Sequence, residues 1–174
     1  VITQVENYYF DVSASVCTAD ALPDAVGFVE EKSMMVLPYE LGWLHFDEVI
    51  DYETTDPGLG QSIAYSAAGA KATIYLYDKS RNDVPSDIES DIVRSELASA
   101  VSDFFTVNPS ATSFGGASST SLHLQAFKVG GDLSVVGMGA SHGKFVKLRV
   151  THEDDPVLTG VISQSLAAIH EFLA

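Results

Sequence analysis

Residues 86–105 constrain the fold more than any other stretch, because they combine a helix start signal with an unbroken apolar stripe. Ser86 and Glu89 stand at the S-x-x-E spacing of a capping box, in which hydroxyl and carboxylate each take a free amide of the first turn. Ile88, Ile92, Leu97, Val101 and Phe105 then fall near one stripe, with Val93, Ala100 and Phe104 at its edge. Glu89, Asp91, Arg94, Glu96 and Asp103 lie mostly elsewhere. Pro109 follows, and Asn108 ahead of it is biased away from helical angles. The pattern predicts an amphipathic helix over 86–106, whose wide apolar face needs a broad partner. The runs on either side alternate as strands do, so that partner is one face of a β-sheet.

Strand signals fill most of the remainder. Residues 33–37 form a short apolar run closed by Pro38. Over 43–53, Leu44, Phe46, Ile50 and Tyr52 share one side, while Trp43, His45, Asp47, Val49 and Asp51 share the other. After the turn-rich Asp56-Pro57-Gly58-Leu59-Gly60, residues 62–67 and 72–78 read as a hairpin around Ala68-Gly69-Ala70-Lys71. Residues 122–128 and 133–138 flank Val129-Gly130-Gly131-Asp132, a second hairpin. A last strand covers 144–151, where the cationic side of Lys147 and Arg149 is expected to answer the acidic side of 43–53. Residues 108–121, rich in Ser, Gly, Ala and Thr and without periodicity, read as a long loop that is mobile or functional. Asp155-Pro156 then starts a second helix, with Leu158, Ile162, Leu166, Ile169 and Leu173 on one stripe. The expected class is α+β: a single, mainly antiparallel sheet of about six or seven strands, with two long helices over 86–106 and 156–173 packed on it. The chain fits one domain, 1–174, in which 1–32 is poorly defined and 33–174 forms the core.

Acidic residues outnumber basic ones 24 to 9, and the imbalance is concentrated: residues 1–60 hold 12 Asp or Glu against Lys32 alone. Nucleic acid is a poor partner for such a chain, because no basic patch exists to neutralise phosphates. The acidic first third suits a solvated surface, a basic protein partner or cations. No apolar run approaches the ~18 residues of a membrane span. Cys17 is the only cysteine, which excludes an internal disulfide and a cysteine-based zinc cluster. The chain begins at Val1, so a removed upstream signal would place it in the periplasm or outside the cell; otherwise the cytoplasm is expected.

Signatures of chemistry are absent. There is no G-x-S-x-G, H-E-x-x-H, C-x-x-C or phosphate-binding G-x-x-x-x-G-K-[ST]. The glycines of 137–143 precede a strand, where a dinucleotide site needs a helix N-terminus, so they read as a hairpin turn. His142 and His152 border one strand at opposite ends, roughly 33 Å apart if extended, and cannot share a metal without a bend. Many serines make a serine–histidine–carboxylate trio possible on paper, and nothing forbids Ser141-His142 or the loop serines Ser118, Ser119 and Ser121 from belonging to one, but no nucleophile elbow marks them.

Two segments, Gly58-Leu59-Gly60-Gln61-Ser62-Ile63-Ala64-Tyr65 leading into 72–78 and Gly143-Lys144-Phe145-Val146-Lys147-Leu148-Arg149-Val150, resemble small uncharacterised bacterial α+β domains. From about residue 33 onward the arrangement is also similar to the fold of the Mog and PsbP proteins. That resemblance implies a binding or assembly factor and carries over no site residue. The expected function is therefore a non-catalytic binding module without cofactor. It meets a protein or small molecule through the sheet face opposite the helices, marked by Trp43, His45, Tyr65, Tyr75 and Tyr77, or through the 108–121 loop. The alternative is a hydrolase-like enzyme with its site near His142, His152 and that loop.

Overall fold

Alternating apolar and polar side chains turn most of this chain into strands, and short turns make nearly every neighbouring pair antiparallel. The computed structural model describes residues 2–5, 8–11, 16–17, 27–118 and 121–156. Its strands are β1 (Ile2–Val5), β2 (Tyr8–Asp11), β3 (Val16–Cys17), β4 (Gly27–Val29), β5 (Val36–Pro38), β6 (Glu40–Leu41) and β7 (Leu44–Asp51). They continue with β8 (Gln61–Ala67), β9 (Ala70–Tyr77), β10 (Thr112–Ser118), β11 (His123–Val129), β12 (Asp132–Ser141) and β13 (Lys144–Glu153). Helix α1 (Asp91–Val107) joins β9 to β10.

These elements correct the expected class. Instead of one sheet carrying two long helices, the described residues form a four-stranded sheet, β1-β2-β4-β5, and a nine-stranded sheet, β10-β11-β12-β13-β9-β8-β7-β3 with β6 on β7. The molecule is mostly β, with one helix among the described residues. The helix expected over 156–173 lies, beyond Pro156, outside them. Within the larger sheet every described pair is antiparallel; the smaller sheet contains one parallel pair, β2 with β4.

Each face of the larger sheet has its own core. On one face Leu44, Phe46, Val49, Ile63, Tyr65, Ala72, Ile74, Leu76, Val146, Leu148 and Val150 pack with Phe28, Leu37, Tyr39 and Leu41 from the β4–β6 region. On the other face Tyr77, Phe127, Val136, Met138, Ala140 and Phe145 meet Val93, Ala100 and Phe104 of α1, with Val84 and Ile88 ahead of it. The contact centres on Phe104, stacked on Phe127 at 4.5 Å between ring centroids and 28° between planes. Strands β9 and β13 are thus covered on both sides, which explains why their outward-reading residues, such as Tyr77 and Phe145, are aromatic rather than charged.

Three local features depart from the sequence pattern for physical reasons. Helix α1 starts at Asp91, because Ser90 is its cap: extended at φ −62° and ψ 147°, it accepts from the Val93 amide at 3.3 Å. Ser86–Glu89 precede the helix in turns, with the Glu89 amide donating to Asp87 instead. In β7 the register shifts between Phe46 and Glu48, so Val49 rather than Ile50 enters the core beside Leu44 and Phe46. Strict alternation cannot show an inserted residue of this kind. Residues 112–118, expected inside a long loop, are strand β10, because pairing to β11 satisfies main-chain groups whatever the side chains.

Tight turns hold the register. His142 and Gly143, at φ 52° and 75°, form the two-residue turn between β12 and β13, so the strand runs further into 137–143 than its glycines suggest. Lys144, 6% exposed, extends from the start of β13 to Asp78 beyond β9, with Nζ 2.6 Å from Oδ2. The expected meeting of cationic and acidic strand faces does not occur. Between β13 and β7 lie β9 and β8, and Lys147 and Arg149 instead sit over Tyr75 and Phe104, at 4.4 and 5.3 Å from the ring centroids.

Candidate functional site

The aromatic face expected from sequence is dispersed by the fold. Trp43 is 61% exposed at the turn between β6 and β7, and His45 stands exposed on β7 within 3.9 Å of Glu40. Tyr65, by contrast, points into the other core, where its hydroxyl donates to the Pro38 carbonyl at 3.0 Å and burial raises its pKa. Tyr77 lies under α1; its hydroxyl donates to Glu96 at 2.7 Å, and burial, reinforced by that carboxylate, also raises its pKa. Tyr75 is half-buried beneath Lys147, whose own pKa is lowered, chiefly by desolvation. The sheet face opposite the helix is not open, because β4 and β5 cover it. Burial on both faces makes strand aromatics core residues, and their spacing alone cannot distinguish the two cases.

The histidines of the alternative site stay apart, at opposite ends of β13. His142 occupies the exposed turn, with Nδ1 2.7 Å from the Ser141 hydroxyl. His152 is buried and donates from Nδ1 to the Glu153 carbonyl at 2.7 Å. It lines a shallow cleft of about 440 Å³ together with Ser66, Lys71, Asp132, Thr151 and Glu153. Among the described residues no three His, Cys, Asp or Glu side chains gather as metal ligands. None of the helices there is long and apolar enough to cross a membrane.

A different histidine is the one that meets a serine and a carboxylate. His123 opens β11 directly opposite Ser118, the last residue of β10. The residue is buried, and its two ring nitrogens have different partners. Nε2 lies 3.0 Å from the Ile88 carbonyl, which can only accept, so Nε2 carries the proton. Nδ1 is left as the acceptor and receives the Ser118 hydroxyl at 2.7 Å. Glu89 Oε1 stands 3.4 Å from Nε2 and also pairs with Arg94. The local sequence explains the placement: Val84 and Ile88 are drawn into the helix-side core, which brings the 88–89 backbone over the β10–β11 end of the sheet. Ser118 was among the loop serines singled out from sequence, whereas His123 and Glu89 were not.

Strand β10 itself is the second exposed feature of this region. All seven of its residues, Thr-Ser-Phe-Gly-Gly-Ala-Ser, are exposed and none is charged. Phe114 is 69% exposed, and Val107, at the end of α1, is 70% exposed. Among the described residues the strand terminates the larger sheet and pairs with β11 alone, with a register shift between Ser113 and Gly115. Compared with known protein families, curated proteins and solved structures, the chain matches none.

Proposed function

We propose that this chain is a binding module that takes an extended segment of a protein partner onto the free edge of β10. The observation that carries this reading is the edge itself: seven exposed, uncharged residues ending a nine-stranded sheet, with the Phe114 ring beside them in solvent. An edge strand presents a row of main-chain donors and acceptors. Protective charges and prolines, which would blunt it, are missing from β10. The register shift leaves Gly115–Ser118 as the regular stretch on which an added strand would pair. A formal net charge of −15 opposes pairing with a second copy and steers a basic partner instead.

The test uses synthetic peptides of alternating Val and Thr flanked by lysines, with amide hydrogen exchange as the readout. Binding is expected to slow exchange across 112–118, and Phe114→Lys, which places a charge on the edge, to abolish the protection without changing the melting temperature by more than about 2 °C. Unaltered exchange with every peptide, or equal protection in the variant, would overturn the reading.

A further inference from the structure

We infer that Ser118, His123 and Glu89 form a nucleophilic acyl-transfer site, with Ser118 as the residue that becomes acylated. The inference does not rest on the partner-binding reading, since it concerns the serine hydroxyl rather than the strand edge. Three groups supply what an activated serine needs: a nucleophile, a base in hydrogen-bond contact with it, and a third group that orients the base. The Ile88 carbonyl fixes the proton on Nε2 at 3.0 Å, so the free lone pair of Nδ1 faces Ser118 Oγ at 2.7 Å. Burial of the ring holds that orientation, while Ser118 is exposed to an incoming substrate. Glu89, 3.4 Å from Nε2, offsets the positive charge that the ring acquires during reaction.

The chemistry balances with these groups and water. Ser118 Oγ attacks the carbonyl carbon of a small activated ester and passes its proton to His123 Nδ1. The bond to the leaving oxygen breaks as that oxygen takes the proton back from Nδ1, which leaves acyl-Ser118 and a free alcohol or phenol. Water then attacks the acyl carbon, gives a proton to Nδ1, and the proton returns to Oγ as the carboxylic acid departs. The substrate class is a small ester with a good leaving group, since the serine lies at an open corner of the sheet.

The experiment treats the full chain with a fluorophosphonate probe and, separately, with p-nitrophenyl acetate. Stoichiometric phosphonylation located at Ser118 by peptide mass is expected, with acetate turnover above the buffer rate. Ser118→Ala, which removes the nucleophile, should remove the label and lower turnover by about 100-fold or more. Glu89→Gln should lower the rate of labelling by about 10-fold while the circular dichroism spectrum is unchanged, and it decides the case if His123→Ala fails to fold. A label on another serine, an unlabelled chain, or Ser118→Ala and Glu89→Gln variants that react as fast as the parent would each overturn the assignment.

Discussion

Glu53 shows how one acidic side chain can organise a whole connection. Its Oε2 accepts from the amides of Gly58 and Gly60 at 2.8 and 3.1 Å, while Oε1 pairs with Lys32 Nζ. Gly60 cannot be replaced in this turn: it sits at φ +64°, and a Cβ there would fall 1.8 Å from the Leu76 carbonyl oxygen. The hydrogen bond from Lys32, helped by the two glycine amides and opposed by burial, lowers the Glu53 pKa from 4.5 to about 2. A folded-state value below the unfolded one stabilises the protein fully above the unfolded pKa, and the gain disappears as pH falls through the folded value. The window is therefore about pH 4.5 down to about 2. Lys32 is more than half exposed, so solvent screening reduces the gain to about 2 kcal/mol. In urea unfolding, Glu53→Gln is expected to lose about that much at neutral pH and nothing near pH 2. Parallel stability curves for the two proteins across the window would count against the linkage.

At the scale of elements, Ser86 and Ser90 make competing claims to the start of α1, and the side-chain contacts decide between them. Ser90 accepts from the Val93 amide, whereas Ser86 stands outside the helix. Ser90→Ala is therefore expected to cost about 1 kcal/mol in chemical denaturation, and Ser86→Ala less than about 0.5 kcal/mol; the reverse order would restore the capping box. The helix stripe was legible because a 3.6-residue period records directly which side faces the core. The buried face is centred on the edge of that stripe: Val93, Ala100 and Phe104 are buried, Ile92, Leu97, Val101 and Phe105 are partly buried against them, and Ile88 packs there from the turn ahead of the helix. The hairpins around Gly69 and Gly130-Gly131 were legible for a similar reason, since their turns need residues that accept positive φ. Strand β10 was not, because its order comes from main-chain pairing with β11 rather than from its small side chains. The shift in β7 moved Val49 into the core against the alternation of its neighbours. Of the candidate site, Ser118 was visible only as one serine among several. Its histidine partner is brought opposite by strand register, and the orienting Ile88 carbonyl and Glu89 arrive from a segment whose capping signal pointed elsewhere.

For the molecule as a whole, charge sets the balance that remains. Most of the cations are already engaged: Lys32, Lys79, Arg81, Arg94, Lys128 and Lys144 pair with carboxylates, and Lys147 and Arg149 sit over aromatic rings. A formal net charge of −15 therefore persists as self-repulsion, which opposes the compact state. Salt acts on both terms in opposite directions. It screens exposed ion pairs, each contributing about 0–1 kcal/mol, and it screens the repulsion among surplus carboxylates. The pairs are few and local, and Lys144–Asp78 is shielded by burial, whereas the repulsion is summed over all the unpaired acids. The repulsion is expected to win. Raising sodium chloride from about 0.01 to about 1 M shortens the screening length from about 30 to about 3 Å. The melting temperature should rise by about 2–4 °C for each kcal/mol of repulsion removed. A fall over the same range, followed by scanning calorimetry, would mean that the ion pairs and not the excess charge govern the stability of this fold.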